Sequence, residues 1–79
     1  MRLQAFSLLA PDIKELLKAH DFKTITASLK ELDPVDIAEG WETLSPHEQA
    51  VVFRILPRRL QSQIFEELEL EGQKCLINH

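Results

Sequence analysis

The sequence predicts an all-α fold in which about five to six short helices stack into a solenoid-like superhelix. Apolar residues recur at intervals of three and four residues along most of the 79-residue chain, and no stretch shows the alternation typical of a strand. Three prolines, Pro34, Pro46 and Pro57, divide this pattern at intervals of 12 and 11 residues. Because helices of about ten residues are unstable alone in water, each must bury its apolar face on a neighbour.

The first ten residues are expected to form an N-terminal arm or a short helix, followed by one helical domain over residues 11–79. Pro11 and Asp12 suit a first helical turn, because proline loses no needed hydrogen bond there and a carboxylate meets exposed N–H groups. The apolar stripe of this helix consists of Ile13, Leu16, Leu17 and His20. Asp21 is the expected cap of a second helix. The stripe of the second helix consists of Phe22, Ile25, Leu29 and Leu32.

Two of the three prolines follow a capping residue, in Asp33-Pro34 and Ser45-Pro46, and this pair is a strong start signal for a helix. The third helix is expected to carry the apolar residues Ile37, Ala38, Trp41 and Leu44. The fourth helix carries Val52, Phe53 and Leu56. The fifth helix, after Pro57, carries Leu60, Ile64, Phe65 and Leu68. A short sixth helix, after residues 69–71, contains Cys75, Leu76 and Ile77.

Composition and charge exclude several classes of protein. A single cysteine excludes a disulfide framework and a cysteine-based zinc cluster. Two glycines are too few for a phosphate-binding glycine loop. The net charge is −4, and the three arginines of residues 49–65 are flanked by acidic segments, which argues against nucleic-acid binding. No apolar run approaches the roughly 20 residues of a membrane span, and no secretory leader is recognised. We therefore expect a cytoplasmic segment without direct membrane insertion.

Residues 33–48 carry five acidic side chains and no lysine or arginine. At about 100° per residue, Asp36, Glu39 and Glu42 fall on one side of the third helix, opposite Ile37 and Trp41. This placement suits an outward-facing surface for a partner or for a magnesium ion, which needs only one or two protein carboxylates. The alternative is a plain solvated helix face, with acids favoured near the helix N-terminus.

No constellation of residues supports catalysis, and we expect that the protein is not an enzyme. Three histidines offer no i, i+4 metal pair: His20, His47 and His79. Cys75 has apolar neighbours and is better placed as a small core residue than as a nucleophile. Ser45 is expected to cap a helix, and Ser62 lacks the turn that presents a nucleophile. No catalytic, cofactor-binding or metal-ligating residue is assigned.

Three further positions carry specific expectations. Trp41 is expected to pack in the core rather than to anchor a partner, because Ile37 and Leu44 share its face. Gly40 costs about 1 kcal/mol in a helix relative to alanine; the alternatives are a close crossing by another helix, which would require glycine, and a cost that the fold simply tolerates. Arg58 and Arg59 begin the fifth helix, where the helix dipole disfavours cations. The hypothesis for these arginines is pairing with the acidic third helix or with an acidic partner.

The stretch from Leu32 to Leu68 resembles the N-terminal cytosolic domain of the MgtE family of magnesium transporters and channels. The resemblance rests on the order and spacing of several helix starts, not on a catalytic signature. The matching segments are residues 32–37, Trp41, Leu44, residues 48–52, residues 55–57 and residues 65–68. Residues 22–32 suit the helix that precedes this block in the family.

The resemblance implies a right-handed superhelix on the cytoplasmic side of the membrane, followed in the parent protein by CBS domains and a membrane pore. Bound magnesium would hold this domain against the CBS domains and favour the closed pore, while uncompensated carboxylates would repel at low magnesium. The chain is then a piece of a longer protein, and Mg²⁺ is its regulatory ion. Gln63 stands where family members can place a carboxylate, and the family's best metal-facing acids lie beyond His79. Both departures argue against ion binding by this segment itself.

The alternative is a helical interaction scaffold of the type found in the flagellar motor switch protein FliG, with no ion dependence. CBS-like strands and apolar spans of about 20 residues beyond His79 would favour the transporter. A last helix without a stacking neighbour would expose Leu68, Leu70 and Leu76, and this exposure predicts a homodimer or a swapped arm.

Overall fold

The computed structural model describes residues 5–78, which form six α-helices and one 3₁₀ turn. No strand occurs among these residues, and the predicted all-α class is confirmed. The elements are α1 (Ala5–Lys18), α2 (Phe22–Lys30), α3 (Pro34–Glu39), the 3₁₀ turn (Trp41–Thr43), α4 (Pro46–Ile55), α5 (Arg58–Glu67) and α6 (Leu70–Asn78). His79 lies outside the described residues.

The predicted helix caps form as the sequence indicates. The Asp33 carboxylate accepts a hydrogen bond from the Val35 N–H at 2.9 Å, and Pro34 takes the first helical position. Ser45 and Glu48 form a reciprocal capping box, in which each side chain accepts a hydrogen bond from the other residue's backbone N–H. Both pairs satisfy N–H groups that have no partner within the helix.

A unit of 12 residues repeats along the second half of the chain. The first backbone hydrogen bond of α3, α4, α5 and α6 is accepted by residues 33, 45, 57 and 69, which are 12 residues apart each time. Pro57 occupies the cap position of α5, whereas the two earlier prolines stand one residue inside their helices. This difference explains the shorter second interval between the prolines. Leu44, Leu56 and Leu68 close the units in extended backbone conformation.

Three glutamines repeat with the same interval and tie each helix to the preceding element. Gln61 donates from Nε2 to the Phe53 carbonyl at 2.7 Å, and Gln73 donates to the Phe65 carbonyl at 2.7 Å. Gln49 is buried. Its Nε2 donates to the Leu44 carbonyl at 2.9 Å and to the Trp41 carbonyl at 3.3 Å. Each amide therefore satisfies a carbonyl near the end of the previous helical segment.

The helices pack in an alternating order. Helix α3 contacts α1 and α5, while α4 contacts α2 and α6, so odd and even helices form two adjacent stacks. The shared core is described by its buried apolar side chains: Phe6, Ile13, Ile25, Leu29, Ile37, Trp41, Leu44, Val52, Leu56, Leu60 and Ile64. This order of contacts is that of stacked helical units. The right-handed superhelix stays a prediction.

The predicted start of the first helix at Pro11 is wrong. Helix α1 spans Ala5–Lys18 in the described residues and continues through Pro11, which is exposed on its outer side. An internal proline removes one helical hydrogen bond, but Phe6 and Ala10 extend the buried stripe of Ile13 by two turns. The packing of this longer stripe offsets the lost bond. The division of the chain at residue 10, with a domain over residues 11–79, stays a prediction.

The prediction that His20 belongs to the apolar stripe of the first helix is also wrong. Helix α1 ends at Lys18, and His20 is exposed, with a left-handed backbone φ of 57°. The N–H of Asp21 bonds to the Leu16 carbonyl at 2.9 Å, and the N–H of His20 bonds to the Leu17 carbonyl at 3.1 Å. This pair of bonds is the Schellman termination, which turns the chain away from the helix axis.

The third helix is shorter than the sequence predicts. Helix α3 ends at Glu39, and Trp41 belongs to the following 3₁₀ turn. A Cβ placed on Gly40 would lie 2.8 Å from Ser7 Oγ and 2.9 Å from Phe6 Cδ2. Helix α1 therefore crosses at the glycine, which is the first of the two alternatives that the sequence left open, and the low helix propensity of glycine favours the change of helix type there. The burial of Trp41, 1% exposed, confirms its core placement.

Candidate functional site

A concave acidic surface lies between two elements of the repeat. Residues of α3 and the 3₁₀ turn form one wall, and the junction of α5 with α6 forms the other. The space between them has a volume of about 380 Å³. Its four carboxylates are Glu39, Glu42, Glu67 and Glu69, and we call this surface the acidic groove. Among the described residues, no lysine, arginine or histidine lines it.

The floor of the acidic groove is apolar. Val35, Ala38 and Leu68 line it together with Trp41. The Trp41 ring packs against Phe6, with ring centroids 6.0 Å apart and planes tilted by 31°. Because the tryptophan is anchored by the core and α3 packs on α5, the backbone around the four carboxylates is held by buried contacts.

The predicted acidic surface of the third helix is found only in part. Glu39 and Glu42 line the acidic groove, whereas Asp36 is half-buried and does not line it. The helix ends after Glu39, so the assumed rotation of 100° per residue does not extend to Glu42. The sequence prediction missed Glu67 and Glu69. The available signal was the helical repeat, because stacking of alternate helices brings the end of α5 beside α3.

The acidic groove concentrates carboxylates on one surface of the described residues. Carboxylates that face each other across a concave surface of low dielectric repel one another, and together they attract cations from solution. Among residues 5–78, no group of three or more His, Cys, Asp or Glu side chains is arranged to hold a metal ion. The four carboxylates that line the groove favour the approach of cations from solution.

The remaining candidate residues are placed apart from the acidic groove. His47 is exposed in the first turn of α4, and Cys75 is a half-buried free thiol on α6. Ser62 is exposed on α5. Arg58 and Arg59 are exposed in the first turn of α5, and their pairing with an acidic surface stays a hypothesis. Between Ala5 and Asn78, no helix has the length and hydropathy needed to cross a membrane.

Comparison with known proteins identifies one family. A family model described as the MgtE intracellular N domain matches residues 32–79, more than half of the chain. The matched segment begins two residues before α3 and contains all four carboxylates of the acidic groove. No curated protein and no solved structure shows a significant match.

Proposed function

The chain belongs to the MgtE intracellular N domain family, and on that premise we propose that it is a regulatory domain of an MgtE-type magnesium transporter or channel. In this proposal the domain lies on the cytosolic face of the membrane and contributes to magnesium-dependent gating by docking to CBS domains. The family is one of transporter regulation rather than of catalysis, and we propose no enzymatic activity.

The observation that carries the proposal is the acidic groove within the family-matched segment. Four carboxylates line the same space, and the negative charge of this surface opposes the approach of another acidic surface. Magnesium ions near the groove would neutralise this charge and allow the domain to dock. When the magnesium concentration falls, repulsion would return and the contact would loosen.

Docking to CBS domains should therefore depend on magnesium and on the charge of the acidic groove. We expect magnesium to tighten binding of the chain to the CBS domains of an MgtE-type transporter by about tenfold, compared with NaCl at the same ionic strength. The double variant Glu42→Gln/Glu69→Gln should bind without magnesium nearly as tightly as the unmodified chain binds with it. Isothermal titration calorimetry measures both dissociation constants.

The matched control is Glu31→Gln/Glu66→Gln, which removes two exposed carboxylates outside the groove. This control should keep the magnesium dependence of the unmodified chain. Two results would contradict the proposal: equal dissociation constants in magnesium and in NaCl, or an equal magnesium dependence of the two double variants.

The alternative function is a helical interaction scaffold that binds its partner without ion sensing. It is supported by the alternating contacts of stacked helices, an arrangement that offers binding surface without a bound ion. In that case binding would persist when magnesium is replaced by sodium.

A homodimer also stays a proposal. Leu70 and Ile77 on α6 are 63% and 72% exposed, whereas Leu68 and Leu76 pack partly against the core. The exposed pair offers an apolar surface to a second copy.

A further inference from the structure

A second cleft lies on another face of the domain, where the end of α1 meets the first turns of α4. Its volume is about 300 Å³, at the lower limit of small-molecule pockets. None of its lining residues lines the acidic groove. Its nitrogen-bearing side chains are Lys14, Lys18, His20 and His47, and we call it the basic cleft.

The basic cleft combines these nitrogen groups with an apolar floor. Leu17, Phe22 and Val51 line it, and Phe22 is 37% exposed although it is a large apolar side chain. A pocket that couples an apolar surface to a few convergent polar groups has the composition of a ligand site. Leu17 lies on α1 and Val51 lies on α4, and both helices contribute buried side chains to the core.

His20 adopts a left-handed backbone conformation that glycine would adopt with less strain. Its left-handed backbone belongs to the Schellman termination, whose corresponding position is most often glycine because other residues are strained there. The imidazole stacks on Phe22, with ring centroids 5.7 Å apart and an interplanar angle of 28°. The strained backbone thus presents an imidazole at the edge of the apolar floor, as is typical of functional positions.

One carboxylate, that of Glu48, also lines the basic cleft, and its charge is already compensated. Glu48 Oε1 accepts the Ser45 N–H at 2.8 Å and lies 3.7 Å from Lys14 Nζ. The backbone hydrogen bond from Ser45, with the Lys14 charge adding to it, lowers the pKa of Glu48 against the opposing effect of burial. Lys18 is 3.6 Å from Glu15, but both side chains are about three-quarters exposed, so this pair is weak.

We propose that the basic cleft binds a small organic carboxylate with an apolar body. The apolar body would rest on Leu17, Phe22 and Val51. The carboxylate would accept hydrogen bonds from the Lys18 ammonium and from imidazole N–H groups, which can donate in the neutral and the charged form. Lys18, whose exposed pair with Glu15 is weak, suits a ligand with one negative charge.

The experiment is a titration of the full chain with benzoate, followed by ¹H–¹⁵N NMR, with benzamide as the uncharged analogue of the same shape. Benzoate should give saturable shifts confined to the end of α1, the start of α2 and the first half of α4. Benzamide should bind at least about fivefold more weakly. Lys18→Gln should weaken benzoate binding by a similar factor, and His20→Gly, which keeps the left-handed turn, should also weaken it.

The matched control is Lys74→Gln. Lys74 is an exposed lysine with a carboxylate three residues earlier, Glu71 at 4.0 Å, as Lys18 has with Glu15. This control should leave the benzoate affinity unchanged. Equal affinity for benzoate and benzamide, equal effects of the two lysine variants, or no saturable shift in these three segments would overturn the proposal.

Discussion

Gly40→Ala is expected to lower the free energy of unfolding by about 1–3 kcal/mol. The new Cβ would lie 2.8 Å from Ser7 Oγ, 2.9 Å from Phe6 Cδ2 and 3.2 Å from the Ser7 backbone nitrogen. Phe6 is fully buried and packs on Trp41, so it has no free space to enter. Either α1 or the 3₁₀ turn must therefore move. Urea denaturation followed by tryptophan fluorescence measures the loss.

Gly72→Ala is the matched control for this prediction. Gly72 lies within α6, and a Cβ there would meet only Leu68 side-chain atoms, at 3.6 Å or more. Alanine should therefore raise the free energy of unfolding by up to about 1 kcal/mol, as expected from helix propensity. Opposite signs for the two variants would establish the close crossing of α1 at Gly40. A stabilising effect at both positions would show that α1 does not approach Gly40 as described.

Gln49→Met should lower the free energy of unfolding by about 1–3 kcal/mol. The side chain is only 7% exposed, and its Nε2 donates to the Leu44 carbonyl at 2.9 Å and to the Trp41 carbonyl at 3.3 Å. Methionine keeps the length of the side chain but offers no donor, so the Leu44 carbonyl loses its amide partner in the interior. Urea denaturation measures the free energy of unfolding, and the difference then reports the lost hydrogen bond and not a change in side-chain volume.

Gln63→Met provides the comparison for this variant. Gln63 is exposed on α5, and the change should alter stability by less than about 0.5 kcal/mol. If both methionine variants had the same stability, the glutamine would not tie α4 to the preceding turn, and the repeating glutamines would lose their structural role.

The helix boundaries were largely predictable because they depend on local chemistry. Asp33 and Ser45 cap their helices within two or three residues along the chain, and the prolines that follow them prevent any other register. The start of α1 was missed since tertiary packing of Phe6 and Ala10 outweighs the local signal of Pro11. The break at Gly40 depends on a helix distant in sequence, which local patterns do not reveal.

The acidic groove was predictable only for the wall that α3 and the 3₁₀ turn provide. Glu39 and Glu42 fall within one acidic stretch of sequence, whereas Glu67 and Glu69 reach the groove through the packing of α3 on α5. The glutamine repeat would have indicated this packing, because Gln49, Gln61 and Gln73 recur at intervals of 12 residues. The prolines indicate this period only approximately, since Pro57 stands one position earlier in its unit than Pro34 and Pro46.

The central proposal is that the charge of the acidic groove sets the response of the parent transporter to magnesium. The most direct measurement is transport by a full-length MgtE-type protein that carries this domain, recorded as a function of cytosolic magnesium. With Glu42→Gln/Glu69→Gln, half-closure should require about fivefold less magnesium, while Glu31→Gln/Glu66→Gln should leave the midpoint unchanged. A midpoint for the groove variant equal to that of the unmodified transporter would contradict the account.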